Sequence, residues 1–227
     1  MFGKRLLIAE TTDITTECDF FGDGTGRYLW TFNSDFNDTC GRFTGWSVIE
    51  GSINTTDFKF GGGSFSAGNL WRYDNNYGGG LSGSSLIASI WAKGTAWSDN
   101  RIAYLWYFGS GSILYVDSSN ILTYLVYSST QGNFLLTYDC SGFSSTGWYN
   151  IAVTHVGTTV TLYVNGLSVS TTTTTGYLLL QNGSPFNIGA YLTDNGDGWR
   201  GLIDQYRLFN KTNASQNDIT ALYNEGQ

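Results

Sequence analysis

Proline is all but missing from this chain: Pro185 is the only one in 227 residues, so no stiff proline-rich linker divides it. Charge is also scarce, at 13% of residues, with 11 Lys and Arg against 18 Asp and Glu. The net charge of −7 and pI near 4.5 argue against a phosphate-binding groove, because nucleic-acid binders carry a basic face. Long apolar runs are missing too. Residues 1–10 offer only Leu6, Leu7, Ile8 and Ala9 between Lys4-Arg5 and polar sequence, too little for a signal peptide or a membrane span. Cysteine is limited to Cys18, Cys40 and Cys140, so at most one bridge can close within the chain, and three unlinked thiols are the expectation. Glutamate is confined to Glu10, Glu17, Glu50 and Glu225, no two of them close in sequence. Glycoside hydrolysis needs two carboxyl groups across a fixed gap, one attacking or activating water and one protonating the leaving oxygen. That shortage predicts a chain without catalytic activity. No phosphate loop, nucleophile elbow or HExxH motif occurs, and the single histidine, His155, ends an apolar run and reads as structural.

What is abundant points to strands. Glycine contributes 30 residues and aromatics 16% of the chain, alongside many Thr and Tyr, which suit short, half-buried strands joined by tight turns. Residues 85–92 and 149–155 are apolar runs suited to central strands. Residues 158–164, Asn165-Gly166 and residues 167–170 predict a two-residue hairpin. In 202–209, Leu202, Asp204, Tyr206 and Leu208 alternate with Ile203, Gln205, Arg207 and Phe209, predicting a strand with one set on each face. Gly201 admits the backbone to a crowded strand start, and Ser215 with Asp218 predicts a capped helix ending before Gly226. Residues 1–26 are polar and then glycine-rich, and read as an N-terminal arm ahead of a single domain, 27–227.

Five pieces occur in a particular order. They are Leu29-Trp30-Thr31-Phe32-Asn33 with Asp38-Thr39-Cys40-Gly41, a glycine-marked segment at 58–65, Trp91 in a central strand, Trp148 ahead of Ile151-Ala152-Val153-Thr154, and Leu162-Tyr163-Val164-Asn165-Gly166. With residues 199–210 and 221–226 behind them, residues 28–226 resemble the laminin-G-like, concanavalin A-like jelly rolls. The departures are one residue inserted between Phe209 and Ser215, Ala214 where the family commonly has Leu, and long insertions at 69–84 and 97–135. The resemblance implies an all-β, two-sheet antiparallel jelly-roll sandwich with a short C-terminal helix, used more often for binding than for catalysis. The same fold carries endoglucanases and laminarinases with an E-x-D-x-E strand, which this chain lacks.

The resemblance also implies that the first strand and the Asp204 strand lie together, so that Asn33, Asp38 and Asp204 form a candidate calcium site. The alternative is that Asn33 and Asp38 cap turns while Asp204 accepts backbone hydrogen bonds. No cofactor is otherwise required. Asp194-Asn195-Gly196-Asp197 is a second acidic loop. Trp30, Trp91 and Trp148 match core positions of the family, and Trp199 reads as packing at a strand start. That leaves Trp71, Tyr73, Tyr77 and Trp97, set among polar residues, as candidate surface contacts for a glycan or for another subunit. The expected function is a non-enzymatic virion structural module, a capsid decoration, fibre or tail component with glycan or host-surface adhesion. The alternatives are a secreted or cell-surface lectin and a glycoside hydrolase. Expected partners are glycans, virion or self subunits in a homo-oligomer, but neither nucleic acid nor a membrane interior. The expected location is a virion or the extracellular space. The arm would dock on a neighbouring chain or add an edge strand to its own sandwich.

Overall fold

The computed structural model describes residues 17–42, 51–67, 84–98, 103–108, 111–128, 132–174, 186–191 and 198–227. Their strands are β1 (Gly26–Trp30), β2 (Ser52–Asn54), β3 (Ser64–Ser66), β4 (Ser85–Gly94), β5 (Ala103–Phe108), β6 (Ser112–Val116), β7 (Ile121–Ser128), β8 (Gly132–Asp139), β9 (Tyr149–Val156), β10 (Thr159–Val164), β11 (Leu167–Thr173), β12 (Phe186–Ile188) and β13 (Gly201–Phe209). One helix, α1 (Gln216–Glu225), comes after β13. An eight-stranded sheet runs β11-β10-β9-β4-β13-β3-β2, with β1 also paired to β13. A five-stranded sheet runs β12-β5-β6-β7-β8. All named strand pairs are antiparallel. The expected all-β, two-sheet jelly roll with a short C-terminal helix is therefore the fold. The segment 97–135, read from the sequence as an insertion, is not peripheral: it supplies β5, β6, β7 and part of β8, most of the second sheet.

Period-two patterning builds the core. Along β4, Leu86, Ala88, Ile90 and Ala92 face the other sheet, while Ile87 lies on the outer side. Opposite them, Leu114, Val116, Leu122, Tyr124 and Val126 of β6 and β7 complete the interior. Tyr206 lies between two indoles, 5.6 Å from Trp30 and 5.4 Å from Trp106. Burying each such ring contributes roughly 1.5–3 kcal/mol. His155 is structural: it is buried, and Nε2 lies 2.8 Å from the hydroxyl of Tyr124, joining one sheet to the other.

The strict alternation expected along β13 breaks in the middle. Gln205 takes φ +43°, and the register to β4 shifts between Asp204 and Arg207. A bulge adds one residue and reverses which face the later side chains meet. Ile203, Tyr206 and Leu208 therefore share the core, whereas Phe209 joins the outer cluster. The hairpin between β10 and β11 turns on Asn165 and Gly166, both at positive φ (49° and 78°), as a two-residue turn of this hand requires.

The outer face of the eight-stranded sheet is covered. Ile87, Ala152, Tyr163 and Phe209 pack there under Ile219 and Leu222 of α1, with Phe20 and Phe21 beside them. The Ser215–Asp218 capping box starts α1 as the sequence indicates. Lys211 ties Asp23 to Asp218, clamping residues 17–25 against the helix. The three cysteines are not all unlinked, as the sequence suggests. Cys18 and Cys40 form a disulfide, with Cα atoms 5.6 Å apart, and only Cys140 is free and buried. The spacing of these cysteines carries no pairing signal, since only the folded path of β1 brings them together. Residues 1–16 of the expected arm lie outside the described residues.

Candidate functional site

The five-stranded sheet has a different exterior. While Leu114, Val116, Leu122, Tyr124 and Val126 point inward, the residues between them point out. Register aligns Tyr104 of β5 with Tyr115 of β6, Tyr115 with Thr123 of β7, and Thr123 with Thr137 of β8. The next row places Ile113, Leu125 and Leu135 side by side, and Tyr127 then faces Asn133. Tyr191, just after β12, completes the group. Its ring stacks on Tyr104 at 4.8 Å and 21°, and Tyr104 lies 5.5 Å from Tyr115. The Asn187 side-chain amide donates to the Tyr191 carbonyl and fixes the turn that carries this ring.

These tyrosines are half-buried, so each shows part of its ring, and Leu135 beside them is 57% exposed. Burial, then the nearby Tyr191 and Tyr115, pushes the Tyr127 hydroxyl above its usual range. It stays a neutral donor and acceptor at physiological pH. The face thus combines aromatic rings, the exposed Leu135 and the exposed polar Thr137 and Asn133, while Thr123 in the same row is buried. Such a surface can stack on the C–H face of a sugar while hydroxyls and amides meet the sugar's own hydroxyls.

Elsewhere, an open cleft of about 450 Å³ lies at one end of β4 and β13. Asp57, Ser66, Lys93, Thr95, Arg200 and Leu202 line it. Lys93 Nζ pairs with Asp57 Oδ2 at 2.7 Å, and the indole N–H of Trp148 points at Asp57 Oδ1 at 3.4 Å. Gly94 and Gly201 oppose each other at this end, and a Cβ on Gly201 would sit 2.1 Å from the Lys93 carbonyl oxygen. The crowded strand start expected at Gly201 is therefore real. The cleft's charges already satisfy one another in part.

Of the residues singled out from sequence, Trp97 is not a surface ring. It is 1% exposed in the 3-10 turn Thr95–Ser98, packed edge-on against Trp199 at 4.7 Å and Phe143 at 4.9 Å. The turn directs its indole inward, which the polar neighbours in the sequence conceal. Trp71, Tyr73 and Tyr77 lie outside the described residues, as do Asp194 and Asp197. Asp38 accepts the N–H groups of Leu29, Cys40 and Arg42. Asp204 accepts those of Lys59, Phe60 and Gln205, while Asn33 Oδ1 accepts that of Gly62. Asn33 and Asp204 thus hold the same loop, and Asp38 ties the end of β1 to the turn at residues 38–42. Among the described residues, no group of three His, Cys, Asp or Glu side chains is arranged to hold a metal. Burial pushes the Asp204 carboxyl up to about 7, against the downward pull of its three N–H donors.

Tyr104, Tyr115, Tyr127 and Tyr191 do not stand out in the sequence. The available signal is the alternation of Tyr115, Thr123, Leu125 and Tyr127 with apolar residues, a two-faced strand pattern inside the supposed insertion.

A laminin-G model, described as the concanavalin A-like lectin/glucanases superfamily, matches residues 76–220. Among curated proteins, none matches the chain. Among solved structures, the botulinum neurotoxin serotype D binding domain aligns with TM-score 0.66 and 16% identity over 88% of this chain and 51% of that one. The binding domain of botulinum neurotoxin DC in complex with SialylT gives 0.65 and 16% over 90% and 52%. Domain 4 of an extracellular GH43 arabinanase from Geobacillus stearothermophilus, in complex with arabinotriose, gives 0.61 and 18% over 86% and 97%. The chain spans about half the length of the neurotoxin chains but nearly all of the arabinanase domain. At these identities the likeness is one of fold. The family match covers well over half of the chain, which therefore belongs to the concanavalin A-like lectin/glucanases superfamily.

Proposed function

We propose that this member of the concanavalin A-like lectin/glucanases superfamily is a non-enzymatic glycan-binding module, and that its contact surface is the tyrosine face of the five-stranded sheet. One observation carries the reading: Tyr104, Tyr115, Tyr127 and Tyr191 converge on an outer face that the described helix does not cover. Half-buried rings held rigidly by a sheet lose little conformational freedom on binding, so ring stacking becomes affinity. Neighbours named for complexes with arabinotriose and SialylT support a sugar ligand. The Cys18–Cys40 bridge favours work in oxidising surroundings, outside a reducing cytosol. No described helix is long and apolar enough to cross a membrane. Attachment to a virion is a narrower form of the same adhesive role and rests on the sequence alone.

The test is calorimetric titration with a panel of oligosaccharides. Binding to the wild type and its loss in Tyr115→Ala, with the fold intact by circular dichroism, supports the reading. Binding unchanged in Tyr104→Ala, Tyr115→Ala and Tyr127→Ala would move the site elsewhere.

A further inference from the structure

We infer that the glycan taken by the tyrosine face is neutral: an uncharged pentose or hexose oligosaccharide, not a sialylated, uronic or sulfated one. This rests on the glycan-binding reading and narrows it. Between Arg101 and Arg200 the chain holds no lysine or arginine at all. All of β5 to β8, β12 and Tyr191 fall inside that stretch. Its one histidine, His155, is buried between the sheets against Tyr124 and is inaccessible to a ligand. Recognition of a carboxylate or sulfate sugar relies on charge-assisted hydrogen bonds from arginine or lysine, and the strands of this face have none to give.

The charges it does have are of the wrong sign. Asp139 ends β8 on the outer side, next to Ile121 and two residues beyond Thr137. Hydrogen bonds from Ser141 hold its carboxyl below the usual range, so it is ionised under all physiological conditions. Asp117 comes just after β6 at the same end and accepts the Ser119 and Ile121 N–H groups. An anionic sugar would therefore meet two carboxylates on a chain of net charge −7. What remains to bind with is neutral: tyrosine rings and hydroxyls, Thr137, Asn133 and the apolar Leu125 and Leu135. Four of the described cations are engaged on the side of the eight-stranded sheet, Lys93 with Asp57, Arg207 with Glu225, Lys59 over Trp91 and Lys211 with Asp23.

The experiment compares matched ligand pairs on the full chain: neutral arabino-, gluco- and galacto-oligosaccharides, and the same oligosaccharides carrying a terminal sialic or uronic acid. The expected result is binding of a neutral member, insensitive to salt, weakened about tenfold or more in Tyr115→Ala and about tenfold by the added acid group. Tyr115→Phe, which keeps the ring, should retain most of the affinity, and so separates ring stacking from misfolding. Tighter binding of the acidic partner, falling with salt, would overturn this inference while leaving the glycan reading in place. Loss of that acidic binding in Lys93→Ala would assign it to the cleft by Asp57 instead. No binding to any member of the panel would overturn the glycan reading and this inference with it.

Discussion

The two sheets of this protein present opposite exteriors built from the same strand pattern. On the eight-stranded sheet, outward residues Ile87, Ala152, Tyr163 and Phe209 lie beneath α1 and the Phe20-Phe21 turn. Ion pairs between Arg207 and Glu225 and between Lys211 and Asp23 close the margins. On the five-stranded sheet, the outward positions hold Tyr104, Tyr115, Thr123, Leu125 and Tyr127, and Lys and Arg are missing from its strands. A covered face serves stability, because each buried group loses water and gains packed neighbours. A face that the described helix leaves uncovered, with rigid half-buried rings, is suited to recognition. The difference is made by the helix after β13 and the turn ahead of β1, not by the strands themselves.

The comparison breaks first, if it breaks, on the covered side. Leu222→Ala should cost about 2–5 kcal/mol of unfolding free energy, because a fully packed site cannot collapse around the lost atoms. Urea denaturation reads this directly. Opening the Cys18–Cys40 bridge, by Cys18→Ser or by reductant, should cost about 3 kcal/mol and loosen residues 17–25. Mass spectrometry under non-reducing conditions checks the bridge, and a melting curve checks its weight.

The same side should respond to pH. Burial raises the Asp204 carboxyl to about 7 when folded, whereas in the unfolded chain it titrates near 3.8. The folded state then holds more protons between roughly pH 4 and pH 7, so stability should fall as pH rises through that window, by up to a few kcal/mol. Asp204→Asn, which keeps an acceptor for the Lys59 and Phe60 N–H groups, should flatten that slope. An unchanged profile would mean that the three N–H donors outweigh burial.

On the open face the expectation reverses. Tyr115→Ala should alter stability by under about 1 kcal/mol, since its ring is only half-buried, while glycan affinity falls about tenfold. A large loss of stability there would show that the ring is structural and erase the contrast. Smallest of all is calcium. The oxygens of Asn33, Asp38 and Asp204 already accept backbone N–H groups, so EDTA should shift the melting temperature by no more than about 1–2 °C.

Several elements are legible in the sequence because their causes are local. Asn165-Gly166 sets its own turn through positive φ, Ser215 and Asp218 cap α1 within three residues, and β4 and β9 announce themselves as apolar runs. Charge content is equally plain, since the chain itself carries no Lys or Arg between Arg101 and Arg200. Other features depend on which segments meet. The bulge at Gln205 appears only when β13 pairs with β4, and it sends Ile203 and Leu208 to one face against the simple alternation. Trp97 is drawn inward by rings from residues 143, 149 and 199. Cys18 finds Cys40 because β1 runs between them, and Tyr191 finds Tyr104 because β12 pairs with β5. Backbone preference and charge act over a few residues and can be read along the chain. Contacts between distant segments are fixed by strand pairing and burial, which only the folded chain supplies.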